Sequence, residues 1–158
     1  MKHARRLATA LAVFAAATLA ACSSPSSSIT FQPPNTWHPS ASILGLGQIW
    51  KSPDRQQVLL LMKLPVPMNV KDAIKTASVQ DAKVEKQEQI KICGDQPAIY
   101  LMATGTSNFN GTKQPGQMDM IMSSTGGATY MALYARPEHQ TADAEAESAI
   151  RSLCEKKS

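Results

Sequence analysis

The chain has 158 residues, of which 43% are hydrophobic and 18% are charged, a composition that suits one ordinary globular domain. Its formal charge is +4, but three of the 16 basic residues and none of the 12 acidic residues lie in residues 1–21. Residues 22–158 therefore hold 13 basic and 12 acidic residues, a net charge of +1. No basic patch with interleaved aromatic residues remains, which argues against a nucleic-acid partner.

Residues 1–21 have the layout of a secretory signal peptide. A positively charged start is followed by a stretch of apolar and small residues from Leu7 to Ala21. The stretch is short for a membrane span, which needs about 20 apolar residues. We therefore predict that residues 1–21 are a signal peptide that is removed during export.

The signal ends in Leu19-Ala20-Ala21-Cys22, which resembles the bacterial lipobox. The resemblance implies that the thiol of Cys22 receives a diacylglycerol, that the chain is cut before Cys22, and that the new amine is acylated. Two or more acyl chains anchor a protein stably, so membrane lipid is the predicted partner here. The alternative is a short hydrophobic helix with an incidental cysteine.

Residues 22–40 are predicted to be a tether, because serine, proline and asparagine dominate them and bury little apolar surface. In lipoproteins of Gram-negative bacteria, a serine such as Ser23 after the acylated cysteine is compatible with sorting to the outer membrane. The predicted location is therefore the extracytoplasmic side of a bacterial envelope, on the periplasmic leaflet of the outer membrane in a Gram-negative host. Residues 41–158 would form a single domain.

The first half of that domain has two strand signals and one helix signal. Apolar segments at 43–50 and 58–64 predict strands, and Pro65 ends the second. Asn69 is a favourable N-cap, and apolar residues recur at helical spacing behind it, which predicts a short helix over about 70–79.

Four further strands and a helix are predicted in the second half. The strands cover 83–93, 98–104, the segment around 118–122 and 128–136, and the Asn- and Gly-containing segment 107–116 is predicted to be a hairpin loop. A final helix, with Thr141 as its possible cap, extends to Cys154 along one apolar face. The predicted fold is α+β: an antiparallel sheet of five to six strands, a short helix after the second strand, and a C-terminal helix packed on the sheet.

With Cys22 assigned to lipid, Cys93 and Cys154 remain as an even pair in an exported chain. Disulfides form in such oxidising compartments, and Cys154 lies on the buried face of the last helix, so we predict a bond between the two. The alternative is a pair of buried free thiols.

The order of elements resembles the PsbP-like fold, shared by an extrinsic subunit of photosystem II, a Ran-binding import factor and LpqN-type mycobacterial lipoproteins. The resemblance rests on the helix at Val70–Ala77, the turn at Cys93–Ala98, the strand at Tyr130–Tyr134 and the closing helix to Leu153-Cys154. It covers about 100 residues. Most such proteins act as binding or assembly modules, so the resemblance implies a non-catalytic role and transfers no site residues.

The chemistry-bearing residues are sparse. The exported part has two histidines, His38 and His139, and we find no catalytic or phosphate-binding motif, so we predict neither catalysis nor a cofactor. Met118, Met120 and Met122 share one face of a strand, and thioethers suit Cu(I), although methionine also fills cores. The favoured hypothesis is a lipid-anchored module that binds an envelope protein; the alternative is a carrier of Cu(I) or a small ligand.

Overall fold

The computed structural model describes residues 29–77, 79–125 and 127–155. The predicted signal peptide and Cys22 lie outside these residues. Two helices, α1 (Val70–Thr76) and α2 (Ala144–Arg151), pack on an antiparallel sheet. Two short strands, β1 (Ile29–Thr30) and β9 (Cys154–Glu155), pair with each other beside it.

Seven strands form the main sheet, and every neighbouring pair is antiparallel. They are β2 (His38–Ile43), β3 (Gly47–Lys51), β4 (Val58–Leu64), β5 (Gln80–Ile92), β6 (Gln96–Phe109), β7 (Thr112–Thr125) and β8 (Ala128–Pro137). Their order across the sheet is β2-β3-β4-β8-β7-β6-β5, so β2 and β5 are the edges.

Each face of the sheet has its own core, because alternate side chains of a strand point to opposite faces. Leu59, Ile121 and Tyr134 belong to the face covered by α2. Leu60 and Met120 belong to the opposite face, which packs against α1. Central strands buried on both sides have nearly continuous apolar sequences, which explains the run of leucines in β4.

The antiparallel sheet and its two helices agree with the predicted architecture, but the sheet has more strands than predicted. The segment 43–50 is not one strand: it contains the turn between β2 and β3. The predicted loop 107–116 is reduced to a tight turn at Asn110-Gly111, where both residues have positive φ angles, 50° and 88°. Asn-Gly favours this hairpin geometry, so β6 and β7 continue almost to the turn.

The predicted tether needs a correction, because residues 29–40 are part of the folded domain. Ile29 and Trp37 are 6% and 4% exposed. The indole Nε1–H of Trp37 donates to the carboxylate of Asp143 at 3.2 Å, and β1 pairs with β9. The composition of this region is rich in serine and proline, and it gives no sign that Ile29 and Trp37 are buried in the core. Residues 22–28 lie outside the described part of the chain.

Both helices are shorter than predicted. The N-cap of α2 is Asp143 rather than Thr141: its carboxylate accepts hydrogen bonds from the backbone N–H groups of Glu145 and Ala146, at 2.8 and 3.2 Å. An aspartate also complements the helix dipole at this position. Because α2 ends at Arg151, Cys154 belongs to β9 and not to the helix.

The predicted pairing of Cys93 with Cys154 is confirmed. The two residues form a disulfide with their Cα atoms 5.4 Å apart. The bond joins the β5–β6 turn to β9, and β9 in turn pairs with β1. The disulfide therefore holds both terminal strands of the described domain against the sheet.

Candidate functional site

A groove of about 850 Å³ lies between the start of α1 and the strands β5, β6 and β7. Met68, Asn69 and Val70 form one wall. Asn69 is held in place as the N-cap of α1, since its side-chain oxygen accepts the backbone N–H of Asp72 at 3.0 Å. The wall is thus built where the chain turns from β4 into the helix.

The floor of the groove consists of two rows of paired residues on the α1 face of the sheet. The first row is Gln89, Ile99 and Met122, which lie opposite one another in the three strands. The second row has the pair Lys91 and Pro97, with Ser124 two residues beyond Met122 on β7. The groove therefore has an apolar centre and a rim that offers an amide, an ammonium and a hydroxyl group. Such a site can hold an apolar group and orient a polar end beside it.

The three methionines proposed as copper ligands are almost completely buried. Met118, Met120 and Met122 are 2%, 1% and 4% exposed, and they pack in one core with Leu101, Leu133 and other apolar side chains. Met122 alone of the three lines the groove. This arrangement favours the packing interpretation over the copper site. Within the described residues, no group of three or more His, Cys, Asp or Glu side chains could hold a metal ion.

A buried polar network on the α2 face was not anticipated from the sequence. Asp119 is 4% exposed, and its carboxylate accepts hydrogen bonds from the hydroxyl of Tyr100 and from the amide of Gln117, the latter at 3.0 Å. Arg136 donates to the amide oxygen of Gln117 at 2.9 Å. The available sequence signal was the alternation of β7, which puts Asp119 in phase with the buried Ile121.

The surroundings of Tyr100 favour its neutral form. Burial is the main cause that raises the pKa of Tyr100, and the hydrogen bond to Asp119 and the charge of that carboxylate raise the pKa further. Lys86 and Arg151 lie over the ring, 5.7 and 5.3 Å from its centroid, and the positive charge of Arg151 opposes the shift without cancelling it.

This raised pKa predicts that the protein becomes less stable at high pH. In the unfolded chain a tyrosine ionises near pH 10, whereas in the folded chain Tyr100 stays neutral to higher pH. The stabilising contribution is therefore complete below about pH 10 and is lost as the pH rises above that value. We expect urea denaturation between pH 8 and pH 11.5 to show a falling free energy of unfolding in the upper part of this range.

The variant Tyr100→Phe tests the assignment. It should cost about 1–3 kcal/mol at pH 7, because the buried Asp119 loses a donor. Its stability should also fall less steeply above pH 10 than that of the wild type. Some slope should remain, since burial raises the pKa of Tyr134 as well. An unchanged slope would show that Tyr100 does not cause the loss.

Comparisons with known proteins identify the fold. No family model matches the chain, and no curated protein matches it either. Among solved structures, PsbP from the cyanobacterium Synechocystis superposes with a TM-score of 0.55 at 12% identity, over 81% of this chain and 86% of that one. The domain has the PsbP-like fold.

Two further structures with similarity to this PsbP-like domain come from other bacteria. One is a Bacteroides thetaiotaomicron protein, with a TM-score of 0.51 and 16% identity over 85% of this chain; the match spans about half of that protein, 47% of its length. The other is LpqN of Mycobacterium tuberculosis, a protein involved in cell envelope biogenesis, with a TM-score of 0.44 and 14% identity, over 78% of this chain and 79% of that one. At these identities the likeness concerns the fold alone.

The lengths and compositions of the two helices bear on whether the chain could cross a membrane. Among the described residues, neither helix has the length and apolar character needed to cross a bilayer.

Proposed function

We propose that the protein is a lipid-anchored component of a bacterial envelope, and that its domain is a non-catalytic module that binds another envelope component. The observation that carries the binding role is the groove beside α1. Its apolar centre, formed by Met68, Val70, Ile99 and Met122, suits an apolar side chain or acyl group. Gln89 and Lys91 at the rim suit a polar or anionic end of the same ligand.

The disulfide and the lipobox support the envelope location. A disulfide between Cys93 and Cys154 suits an exported protein, because thiols are kept reduced in the cytosol. It also uses the second and third of the three cysteines, which leaves Cys22 for lipid. In a Gram-negative host the anchored domain would face the periplasm from the outer membrane.

Mass spectrometry of the protein extracted from its native envelope tests the anchor. We expect an N-terminal peptide that begins at Cys22 and carries diacylglycerol and an amide-linked acyl chain. An unmodified Cys22, or residues 1–21 still attached, would contradict the anchor.

Photo-crosslinking in the native envelope tests the groove. A photoreactive residue at position 89, on the groove rim, should give a discrete adduct, whereas one at Lys113, near the far turn of the sheet, should not. Val70→Glu should reduce the adduct at least ~10-fold, because a carboxylate would replace an apolar wall at a cost above ~1.4 kcal/mol. The helix dipole favours an acidic residue in the first turn of α1, but Val70 also packs against the core, so the melting temperature of Val70→Glu is measured beside the adduct to show that the domain is folded.

Lys71→Gln is the matched control, since it changes the charge by the same amount on the same helix turn but does not line the groove. It should leave the adduct intact. An equal loss in both variants would mean that charge and not the groove controls binding, and the absence of an adduct at position 89 would contradict a groove partner.

A small apolar ligand is the second candidate occupant, because a volume of about 850 Å³ lies within the range of small-molecule sites, roughly 300–1,000 Å³. The crosslinking experiment separates the two candidates. A protein partner adds the mass of a peptide to position 89, whereas a small ligand adds a low-molecular-weight adduct or copurifies with the domain.

A further inference from the structure

The first described residues of the chain lie at one end of the main sheet. We call it the anchor end; it includes the β2–β3 turn (44–46), the segment after β4 (65–67) and the β5–β6 turn (93–95), beside the turn that joins β7 to β8. Ile29 lies opposite Glu155 in the β1–β9 pair, and Cys154 is bonded to Cys93 in the β5–β6 turn. From there the chain crosses the α2 face towards His38, which pairs with Lys51 at the opposite end.

The anchor end cannot move far from an acylated Cys22. Only six residues separate Cys22 from Ile29, so the seven Cα–Cα steps span roughly 25 Å even when fully extended. A bilayer that holds Cys22 is therefore always within reach of this end of the sheet, whereas the Asn110-Gly111 turn lies at the far end.

Two of the large hydrophobic side chains exposed in the described residues lie at the anchor end. Leu44 is 93% exposed at the tip of the β2–β3 turn, and Val66 is 50% exposed in the segment after β4. The third such residue, Val84, lies within β5 and is 41% exposed. Apolar side chains in neighbouring turns on the side that faces a bilayer can enter it without disturbing the sheet.

Leu44 also occupies a position that leucine does not favour. It and Gly45 have φ angles of 44° and 71°, and a hydrogen bond joins the N–H of Leu46 to the carbonyl of Ile43. The turn at the far end has the same signs of φ but uses Asn110 and Gly111, the residues that such turns prefer. Neither backbone preference nor packing accounts for a leucine at position 44.

We propose that the anchor end is a membrane-contacting surface, and that Leu44 and Val66 insert into the headgroup region of the bilayer that holds Cys22. The inference rests on the proposed acylation of Cys22. Two side chains alone would bind a bilayer weakly, but the short tether makes their contact an intramolecular event at high effective concentration. Met68 and Val70 follow Val66 closely in the chain, so the groove beside α1 opens next to the same bilayer.

The test uses the full acylated protein in vesicles of phosphatidylethanolamine and phosphatidylglycerol. A polarity-sensitive fluorophore is attached at Leu44→Cys, and at Asn110→Cys as the matched control in the far turn. The other three cysteines are acylated or disulfide-bonded, so the new thiol is the one that reacts. We expect a blue shift and quenching by spin-labelled lipid at position 44, and neither at position 110.

The substitution Leu44→Asn, alone and in protein labelled at Val66→Cys, separates membrane contact from folding. Leu44→Asn places a favoured residue in the turn, so its melting temperature should not fall. With the fluorophore at Val66→Cys, Leu44→Asn should nevertheless reduce quenching by spin-labelled lipid. If the protein is acylated but the probe at position 44 behaves like the probe at position 110, the membrane-contact inference is wrong and the proposed anchor stands. An unacylated Cys22 would overturn the proposed anchor and the inference together.

Discussion

Replacing Cys93 and Cys154 with serine should lower the free energy of unfolding by about 4 kcal/mol, the largest effect that we predict. The two residues are 61 positions apart in the chain, and the loss of loop closure in the unfolded state accounts for this size in the chain-entropy model. Because Cys93 is exposed and Cys154 is half-buried, serine should add little strain of its own. Urea denaturation of the oxidised wild type and of the double variant measures the difference.

The reduced wild-type protein is the control for this prediction. It should be as unstable as the double variant, since both lack the crosslink and retain the same core. A double variant as stable as the oxidised wild type would show that the bond does not restrict the unfolded chain.

Trp37→Ala should cost about 3–4 kcal/mol, although the sequence placed this residue in a tether. The alanine variant loses a side chain that is 4% exposed and whose ring lies 6.2 Å from that of Tyr134. It also loses the hydrogen bond to Asp143, the N-cap of α2. Trp50 remains as a fluorescent reporter, so denaturation can be followed in the variant.

Two control variants show how much of the destabilisation by Trp37→Ala comes from the loss of the ring and how much from the loss of its N–H group. Trp37→Phe keeps an aromatic ring near Tyr134 but loses the indole N–H, so it should cost less than Trp37→Ala by about 2 kcal/mol. Trp50→Ala removes a half-buried indole and should cost less than Trp37→Ala. A negligible effect of Trp37→Ala would mean that residues 29–40 do not belong to the folded domain.

The sequence predicted those parts of the fold whose signals are local. The apolar run of β4 and the Asn69 cap with helical spacing behind it each identify an element by themselves. The pairing of Cys93 with Cys154 is a long-range contact, and counting predicted it because only these two cysteines remain after Cys22. The first two signals are strong because one physical cause dominates at each position: burial on both faces of β4, or the satisfaction of free N–H groups at the start of α1.

The elements that were missed depend on distant partners. β1 has two residues and is defined by its pairing with β9, more than 120 positions later. β2 has a polar, exposed sequence, so hydrogen bonding to β3 and not apolar periodicity makes it a strand. Composition cannot distinguish such segments from a tether.

The groove and the polar network were missed for a related reason. Asp119 lies between two methionines, and alternation shows that it is on the face opposite to theirs but not what covers that face. In the structure α2 and the chain leading to it cover that face, so the carboxylate is enclosed and needs Tyr100 and Gln117 as donors. The groove depends on the position of α1 relative to β5, β6 and β7, and no local sequence pattern specifies that position.

One of the two edge strands of the sheet, β5, has a consequence for crowding. β5 is long and largely exposed, and its pairing with β6 shifts register twice, between Gln80 and Lys83 and between Val84 and Lys86. Lys83 and Lys86 form ion pairs with Glu85 and Glu88, which adds charge along the edge. Proteins that diffuse on a membrane collide in few orientations and at high density, conditions that favour joining of sheets. Bulges and charges hinder such joining, so on the proposed membrane anchor neighbouring copies would be less prone to pair through β5.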